Sequence, residues 1–309
     1  MTTLAQVLEV MDVLDGYVTG ADVASLLRRA DLDVTVRRVA EEGGQTDFVQ
    51  VRIPGTDGKS SGGAAPTLGI VGRLGGVGAR PEKVGLVSDG DGAVAALAAA
   101  LKLGLMARRG DRLAGDVIVG THVCPDAPMI PHDPVPFMGP PVAMTTMNRM
   151  EVHPEMDAVV AIDTTRGNRI VNHKGIAITP TIKDGYVLPV SEGFLSVYER
   201  VCGCLPVVLA LSNYDVTPYG NGLFHINSIV QVATATEQPV VGLAITAQTI
   251  VAGSATGASQ PGDIALAASF AVEAAKDFGA GLLAFYDAGQ FQRALDLYGS
   301  LRHLRELGR

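Results

Sequence analysis

Three side chains that can bind a metal ion follow short apolar runs in this sequence. Asp89, His122 and Asp163 each come at the predicted carboxyl end of a strand. In an open α/β sheet those ends converge on one crevice, so we expect the three side chains to meet there. A hydrolytic metal site needs three protein ligands and one open position, and these oxygen and imidazole ligands suit zinc, manganese or iron. The simpler interpretation is that Asp89 only caps a helix and Asp163 only forms a turn.

A second group of reactive side chains lies in a proline-rich loop. Thirteen residues contain two histidines, one cysteine and two aspartates, namely His122, Cys124, Asp126, His132 and Asp133. The prolines exclude a helix or a central strand from residues 125–141, and a loop of this length in a compact domain is usually functional. We take Asp126 and His132 as candidate catalytic residues. Three alternatives stay open. His122 or Cys124 binds a metal together with His132 or Asp133, Cys124 is a nucleophile paired with a distant histidine, or the polar groups only satisfy the loop backbone.

Three further residues are candidates for binding substrate. Arg73 follows a buried strand, and a guanidinium binds a carboxylate or phosphate through two parallel hydrogen bonds. Residues 218–227 contain two glycines and are expected to open a helix, whose free backbone N–H groups can receive an anion. Asn221 and His225 lie in this segment. Because His225 stands between two apolar residues, a place in the core is an equally good interpretation for it.

The composition excludes several classes of protein. Of the 309 residues, 47% are hydrophobic and 18% are charged, which excludes intrinsic disorder. The longest apolar run is nine residues, Ala93 to Leu101, whereas a transmembrane helix needs about 20. The 32 acidic and 24 basic residues give a formal net charge of −8, which argues against a nucleic-acid partner. Three cysteines fit a reducing compartment and no basic leader is present, so we expect a cytoplasmic protein without a membrane partner.

The hydrophobic pattern predicts the elements that position these residues. Two helices and a hairpin at 33–39 and 48–53 come first, and short aliphatic strands then alternate with helices. This alternation is typical of a mostly parallel sheet covered on both faces. The predicted strands are 68–71, 117–119, 158–162, 207–211 and 240–245, and the predicted helices are 93–105, 264–278 and 291–307. An Asp184-Gly185 turn indicates a hairpin in a small β insert at about 170–190. We predict one α/β domain over residues 1–309, with a proline- and glycine-rich loop at 125–150.

Four segments at predicted strand ends follow one another in a specific order. They are Gly72-Arg73-Leu74-Gly75-Gly76, Ser88-Asp89-Gly90-Asp91-Gly92, Thr121-His122-Val123-Cys124 and Ala161-Ile162-Asp163-Thr164-Thr165. This order resembles the co-catalytic di-zinc exopeptidases, which include glutamyl and deblocking aminopeptidases and carboxypeptidase-G-like enzymes. The resemblance implies a three-layer αβα fold of the zinc-exopeptidase type, with Asp89 as the bridging aspartate and Asp163 as the later aspartate ligand. The whole sequence is similar to the family catalogued as domain of unknown function 1177, which implies no activity.

The sequence departs from the exopeptidase pattern at three positions. Arg73-Leu74-Gly75 stands where these enzymes have His-x-Asp, no glutamate occurs at about 123–126 where a Glu-Glu pair is expected, and no histidine occurs near 251–254. A standard di-zinc site therefore cannot form. The Arg73 cation would repel a metal and attract an anion, so a metal at Asp89 and Asp163 is either single or replaced by a salt bridge from Arg73.

Two functions are consistent with these residues. The first is a metal-dependent hydrolase, aminopeptidase- or amidase-like, that uses zinc or another divalent transition metal to cleave a small peptide or amino-acid derivative. The alternative is a catalytically degenerate protein of the same fold that binds an anionic small molecule without a metal, through Arg73 and the glycine-rich loops. Either function is compatible with a homo-oligomer, which the aliphatic composition and the apolar stretch at 135–150 favour.

Overall fold

The fold is given by a computed structural model, which describes residues 2–73, 75, 86–131, 133, 137–165, 167–250 and 258–306. It is a mixed α/β architecture with a central sheet of eight strands and helices around it. The strands in this part of the chain are β1 (Asp33–Glu41), β2 (Gly44–Ile53), β3 (Leu68–Gly72), β4 (Val117–Val123), β5 (Met129–Ile130), β6 (Phe137–Met138), β7 (Ala158–Thr165), β8 (Gly175–Lys183), β9 (Tyr186–Leu188) and β10 (Val240–Thr246). The α-helices are α1 (Thr3–Leu14), α2 (Gly20–Arg28), α3 (Asp91–Ala107), α4 (Met144–Glu151), α5 (Glu192–Cys202), α6 (Pro261–Gly279) and α7 (Ala288–Tyr298).

The central sheet has the strand order β1-β2-β4-β3-β7-β10-β8-β9. Its four middle strands, β4, β3, β7 and β10, run parallel to one another. The pairings outside them are antiparallel. The predicted α/β class is therefore confirmed, while the parallel arrangement is confined to the middle of the sheet. The two outermost pairs are hairpins, and a short connection between two strands makes them antiparallel.

Two hydrophobic cores lie on opposite faces of this sheet. Successive side chains of a strand point to opposite faces, so Ile70 of β3 belongs to the larger core and its neighbour Val71 to the smaller one. Helices α1, α2, α3, α5 and α6 cover the larger core. The smaller core is covered mainly by loops and by a 3₁₀ helix at Ile229–Thr234. One face of the sheet is thus helical, and the other carries loops that can border a binding site.

Helix α3 lies at the centre of the larger core. Every residue of the apolar run from Ala93 to Leu101 is buried. Helix α3 and the turn before it form the segment Ser88–Ala107. Among the described residues, this is the helical segment that is long and apolar enough to cross a membrane. Most of this segment is buried inside the fold, which is typical of the core helix of a globular domain.

The predicted hairpin of the β insert forms, whereas two other predicted elements differ from the structure. The Asp184-Gly185 turn forms, with φ angles of 53° and 82°, and its hairpin of β8 and β9 extends the main sheet. Residues 207–211 make no strand, only an isolated bridge that pairs Val208 with β8. The closing helix is shorter than predicted, because Gly299 has a φ of 74° directly after α7.

Candidate functional site

A cavity of about 470 Å³ opens at the carboxyl end of β7. Three parts of the chain border it: the turn before α3, the end of β7 with the residues that follow it, and the loop before the 3₁₀ helix. Its polar lining residues are Asp89, Asp163, Thr164, Thr165, Asn168, Asn227 and Ser228. Arg169, Ile170, Tyr219, Phe224, His225 and Ile226 complete the lining. The cavity thus combines two carboxylates, several neutral hydrogen-bonding groups, one arginine and apolar surface.

Asp89 and Asp163 both line this cavity, Asp163 from the carboxyl end of β7 and Asp89 from the turn before α3. Asp89 lies in the 3₁₀ turn Ser88–Gly90 and is buried. The Thr164 hydroxyl donates a hydrogen bond of 3.0 Å to the Ser88 carbonyl oxygen, which ties that turn to the end of β7. Two aspartates that are far apart in the sequence therefore line one cavity at the carboxyl end of β7, where open α/β sheets bind their ligands.

Asp163 is held by two hydrogen bonds. Its Oδ1 accepts a hydrogen bond of 2.8 Å from the Thr164 backbone N–H, and its Oδ2 accepts one of 2.8 Å from the Ser228 hydroxyl. Burial raises the pKa of Asp163 to about 6, against the opposing effects of the Arg73 charge and the two hydrogen bonds. A carboxyl group with this pKa can both accept and release a proton near neutral pH.

The loop opposite Asp163 is anchored by the buried carboxylate of Asp215. Its Oδ1 accepts hydrogen bonds from the backbone N–H groups of Ile226 and Asn227, at 2.7 and 3.1 Å. The Thr165 hydroxyl donates to Oδ1 of Asn227 at 3.4 Å, which leaves the amide nitrogen on the other side. That nitrogen, Nδ2, is buried and has no hydrogen-bond partner within the described residues. Asn227, a lining residue, therefore has a buried side-chain donor without a partner in the described part of the chain.

His225 lines the cavity, whereas Asn221 supports it from behind. The His225 ring stacks on Tyr219, with 5.1 Å between the ring centroids, and its Nε2 lies 3.2 Å from Oδ1 of Asn221. Asn221 in turn donates a hydrogen bond of 2.7 Å from its side-chain amide to the Thr217 hydroxyl oxygen. The helix expected at residues 218–227 does not form, because Gly220 adopts a left-handed φ of 81°. The predicted anion site at a helix start is therefore wrong, although His225 does face the cavity.

Arg73 and His122 lie in a buried network that is not part of the cavity lining. The Arg73 Nη1 donates to Oε2 of Glu151 and, at 2.8 Å, to Oδ1 of Asn148. The His122 Nδ1 lies 3.0 Å from Oε1 of Glu151, and the His122 Nε2 accepts a hydrogen bond of 3.1 Å from the Gly75 backbone N–H. All three of these ionisable side chains are buried. The expectation that Arg73 holds a substrate carboxylate is not supported, because Glu151 already binds it.

A transition metal does not fit the residues that the structure describes. Within them, no three His, Cys, Asp or Glu side chains are grouped so that they could hold a metal ion. His122, one predicted ligand, uses both ring nitrogens for hydrogen bonds with Glu151 and Gly75. The predicted ligand set of Asp89, His122 and Asp163 is therefore not assembled, although the two aspartates share the cavity.

Asp126, the described one of the two candidate catalytic residues in the proline-rich loop, lies away from the cavity. Asp126 is exposed, accepts a hydrogen bond of 3.5 Å from the Tyr17 hydroxyl and does not line the cavity. His132 lies outside the described residues. Cys124 is buried, donates its thiol to the Gln45 carbonyl oxygen at 3.3 Å, and has a pKa raised to about 11 by burial. A thiol with a raised pKa is a poor nucleophile, so the structure does not support that alternative.

Ser228 and Asn227 are the site residues that the sequence did not single out. Ser228 follows directly after the glycine-containing segment that holds His225. Its partner Asp163 is 65 positions away, and their contact depends on the path of the loop that Asp215 anchors. In the sequence, the one sign that Ser228 belongs to a site is its position directly after the glycine-containing segment at 218–227.

The fold is similar to the zinc-exopeptidase-type fold of solved structures. A solved structure titled bottromycin maturation enzyme BotP in complex with Mn matches it with a TM-score of 0.51 and 16% identity, over 88% of this chain and 70% of that one. The glutaminyl cyclase of Macrostomum lignano matches with a TM-score of 0.48 and 12% identity, over 91% and 90% of the two chains. The cytosol aminopeptidase of Coxiella burnetii matches with a TM-score of 0.47 and 12% identity, over 85% and 67%.

The family is identified by the sequence itself. The model of the family described as protein of unknown function (DUF1177) matches residues 37–308, which is most of the chain. The protein belongs to this family. None of the curated proteins matches it.

Proposed function

We propose that this protein is a hydrolase that takes a small peptide or amino-acid derivative into the cavity at the end of β7. The observation that carries the proposal is the presence of Asp89 and Asp163 in one cavity of about 470 Å³, at the strand ends where open α/β sheets bind their ligands. That volume suits a ligand of a few residues or fewer.

The charges around the cavity support this class of substrate. Asp89 and Asp163 place negative charge at the cavity, which attracts an amino group, and Arg169, which is exposed, offers a guanidinium to a carboxylate. Ile170 and Phe224 add exposed apolar surface for a side chain. A molecule with an amino group, a carboxylate and an apolar group satisfies all three parts of the lining.

In this proposal Asp163 transfers the protons. Hydrolysis of an amide needs a base that takes a proton from the attacking hydroxyl and an acid that returns it to the departing nitrogen. Asp163 can do both, because its carboxyl faces the cavity lining and has a pKa of about 6. The metal-dependent version of the reaction receives no support from the described donors, so no step is assigned to a metal.

The experiment compares peptide hydrolysis by the native protein, by Asp163→Asn and by Asp126→Asn. A panel of dipeptides and N-acyl amino acids, followed by mass spectrometry, gives the rates. We expect Asp163→Asn to lose at least ~100-fold in kcat/KM, the usual contribution of general acid–base catalysis. Asp126→Asn, which changes an exposed aspartate outside the cavity, should retain the native rate. Equal rates in all three proteins would refute the role of Asp163.

A binding protein without turnover is the second candidate, and the unassembled metal-ligand set favours it. In this form the cavity recognises the same molecules but cleaves none of them. Titration calorimetry with the same panel distinguishes the two candidates. A ligand that binds the native protein, is not cleaved and binds Asp163→Asn more weakly would favour the binding protein.

The expected homo-oligomer and the cytoplasmic location are further parts of the proposal. Large apolar side chains at the surface support self-association, among them Leu205, Phe224 and Leu282, each more than three-quarters exposed. Light scattering of the purified chain tests it, and a clean monomer at micromolar concentration would contradict it.

A further inference from the structure

The contact between Ser228 and Asp163 has the geometry of a nucleophile and its base. The Ser228 hydroxyl donates to Oδ2 of Asp163 at 2.8 Å. A serine becomes a nucleophile when an adjacent base lies within about 2.6–3.2 Å, because the base takes the hydroxyl proton as the oxygen attacks. The base must itself be held in place, and the Thr164 backbone N–H holds the other carboxylate oxygen at 2.8 Å. Nucleophile, base and orienting group are therefore all present.

Access to the Ser228 hydroxyl distinguishes it from an ordinary structural serine. Ser228 is half-buried and lines the cavity, so its oxygen can meet a bound molecule. Asp163, by contrast, is almost completely buried, although it also lines the cavity. Ser259 provides a comparison within the same chain, because its hydroxyl also donates to a buried carboxylate, that of Asp91, at 2.5 Å. Ser259 does not line the cavity.

The Asn227 side chain supplies the third group that acyl transfer needs. An attacked carbonyl oxygen becomes negatively charged, and a fixed N–H donor stabilises that charge. The buried Nδ2 of Asn227 has no partner in the described part of the chain, although leaving such a group unpaired costs about 1–3 kcal/mol. Asn227 precedes Ser228, and both line the cavity. A carbonyl oxygen of a bound substrate would satisfy this donor.

We propose that Ser228 is the catalytic nucleophile of this protein, with Asp163 as its base and Asn227 as the donor to the carbonyl oxygen of an amide or ester substrate. This inference rests on the proposed hydrolase function. Ser228 Oγ attacks the carbonyl carbon and its proton passes to Asp163. The C–N or C–O bond breaks, Asp163 gives the proton to the leaving group, and an acyl ester on Ser228 remains. Water then attacks this ester, Asp163 takes a proton from the water, and the proton returns to Ser228 Oγ as the acid leaves.

The test uses a fluorophosphonate probe, which reacts with activated serines. Attack by Ser228 Oγ on phosphorus would release fluoride and leave a phosphonyl ester that intact-mass measurement counts and peptide mapping locates. We expect one adduct per chain, on Ser228, in the native protein. Ser228→Ala should give none, and Asp163→Asn should react at least ~100-fold more slowly. Ser259→Ala, the matched control, should react at the native rate. Circular dichroism and the Tm verify that each variant is folded.

The same proteins are assayed for hydrolysis of the peptide panel, so that the two proposals can fail separately. Hydrolysis by Ser228→Ala at the native rate would overturn the nucleophile assignment and leave the hydrolase function standing, with water as the attacking group. An adduct on any residue other than Ser228, or none at all while the native protein cleaves peptides, would overturn it as well. If the native protein neither reacts with the probe nor cleaves any peptide, both proposals fall.

A second variant tests the carbonyl donor. Asn227→Asp keeps the size of the side chain and replaces the N–H donor with a carboxylate oxygen. We expect kcat to fall at least ~100-fold with a much smaller change in KM, because the donor acts mainly on the charge that develops during the reaction. A rise in KM with unchanged kcat would show that Asn227 only binds substrate.

Discussion

Arg73 carries a charge that is completely buried, and its partners determine its role. Its Nη1 binds Glu151 and Asn148, whereas Nε and Nη2 have no partner among the described residues. Glu151 also binds His122, so one carboxylate serves two nitrogen groups. A buried charge is costly unless it is paired, and removing one member of a buried pair costs more than replacing both. Arg73 and Glu151 therefore stabilise the fold as a pair.

The residue-scale prediction concerns the coupling in this pair. Arg73→Met should lower the free energy of unfolding by about 3–5 kcal/mol, because Glu151 stays buried without its main partner. The double variant Arg73→Met, Glu151→Gln should recover part of that loss. Urea denaturation of the native protein, both single variants and the double variant completes the cycle. Losses that simply add would show that the two residues are not coupled.

At the residue scale, the sequence predicts where an acid lies better than what it touches. Asp163 lies at the cavity because it stands at the carboxyl end of β7, which an apolar run in the sequence reveals, and Asp89 reaches the same cavity from the turn before α3. His122 also lies on a central strand, but its nitrogens are taken by Glu151 and Gly75. Such side-chain pairings depend on three-dimensional packing between distant residues, which the pattern of one strand does not contain.

Asp47 shows how one side chain joins several elements. It lies on β2 and accepts hydrogen bonds of 2.7 and 3.0 Å from the Arg38 guanidinium of β1. The same carboxylate accepts a hydrogen bond of 2.9 Å from the Gly20 backbone N–H at the start of α2. Arg38 holds the pKa of Asp47 below its ordinary value, mainly through its hydrogen bond, with a smaller contribution from Gly20, and burial opposes both. Asp47 thus fastens the first hairpin to the second helix.

The element-scale prediction is a pH-dependent loss of stability in Asp47→Asn. A lowered pKa in the folded state stabilises the protein above the ordinary carboxyl pKa, and this stabilisation is lost as the pH falls through the lowered value. Near pH 7 the variant should be about 1–2 kcal/mol less stable, since the charge-assisted bonds are weakened and Arg38 is half exposed. Urea denaturation should show this difference shrinking below about pH 4. Asp12→Asn, an exposed change on α1, is the control.

At the element scale, the sequence predicts the regular strands and helices well and the glycine-rich segments poorly. The alternation at β1 and β2 and the aliphatic runs at β3, β7 and β10 all mark strands that the structure contains. The segment at 218–227 was expected to start a helix, but the left-handed φ of Gly220 and Gly222 turns the chain instead. A glycine permits several conformations, so its presence alone does not say which one the packing selects.

The order of the strands in the whole sheet could not be predicted from local sequence patterns. Its centre is parallel as predicted, yet β2 lies beside β4 and β10 lies between β7 and β8. These pairings join strands far apart in the sequence. Aliphatic runs show that a strand is buried but give no information about its neighbours. The order of elements along the chain led to the resemblance to the exopeptidase layout, and the structural likeness confirms that class of fold.

The prediction for the whole molecule is that divalent transition metals do not stabilise it. A ligand that binds only the folded state at about 1,000 times its Kd adds about 4 kcal/mol, which would raise the Tm by several degrees. The described residues assemble no group of three metal donors, and Arg73 places a positive charge that acts on Asp163. The Tm should therefore change by less than about 1 °C with Zn²⁺, Mn²⁺ or a chelator at about 0.15 M salt, where weak surface binding is screened. A rise of several degrees that a chelator reverses and that Asp163→Asn abolishes would show that the cavity holds a metal after all.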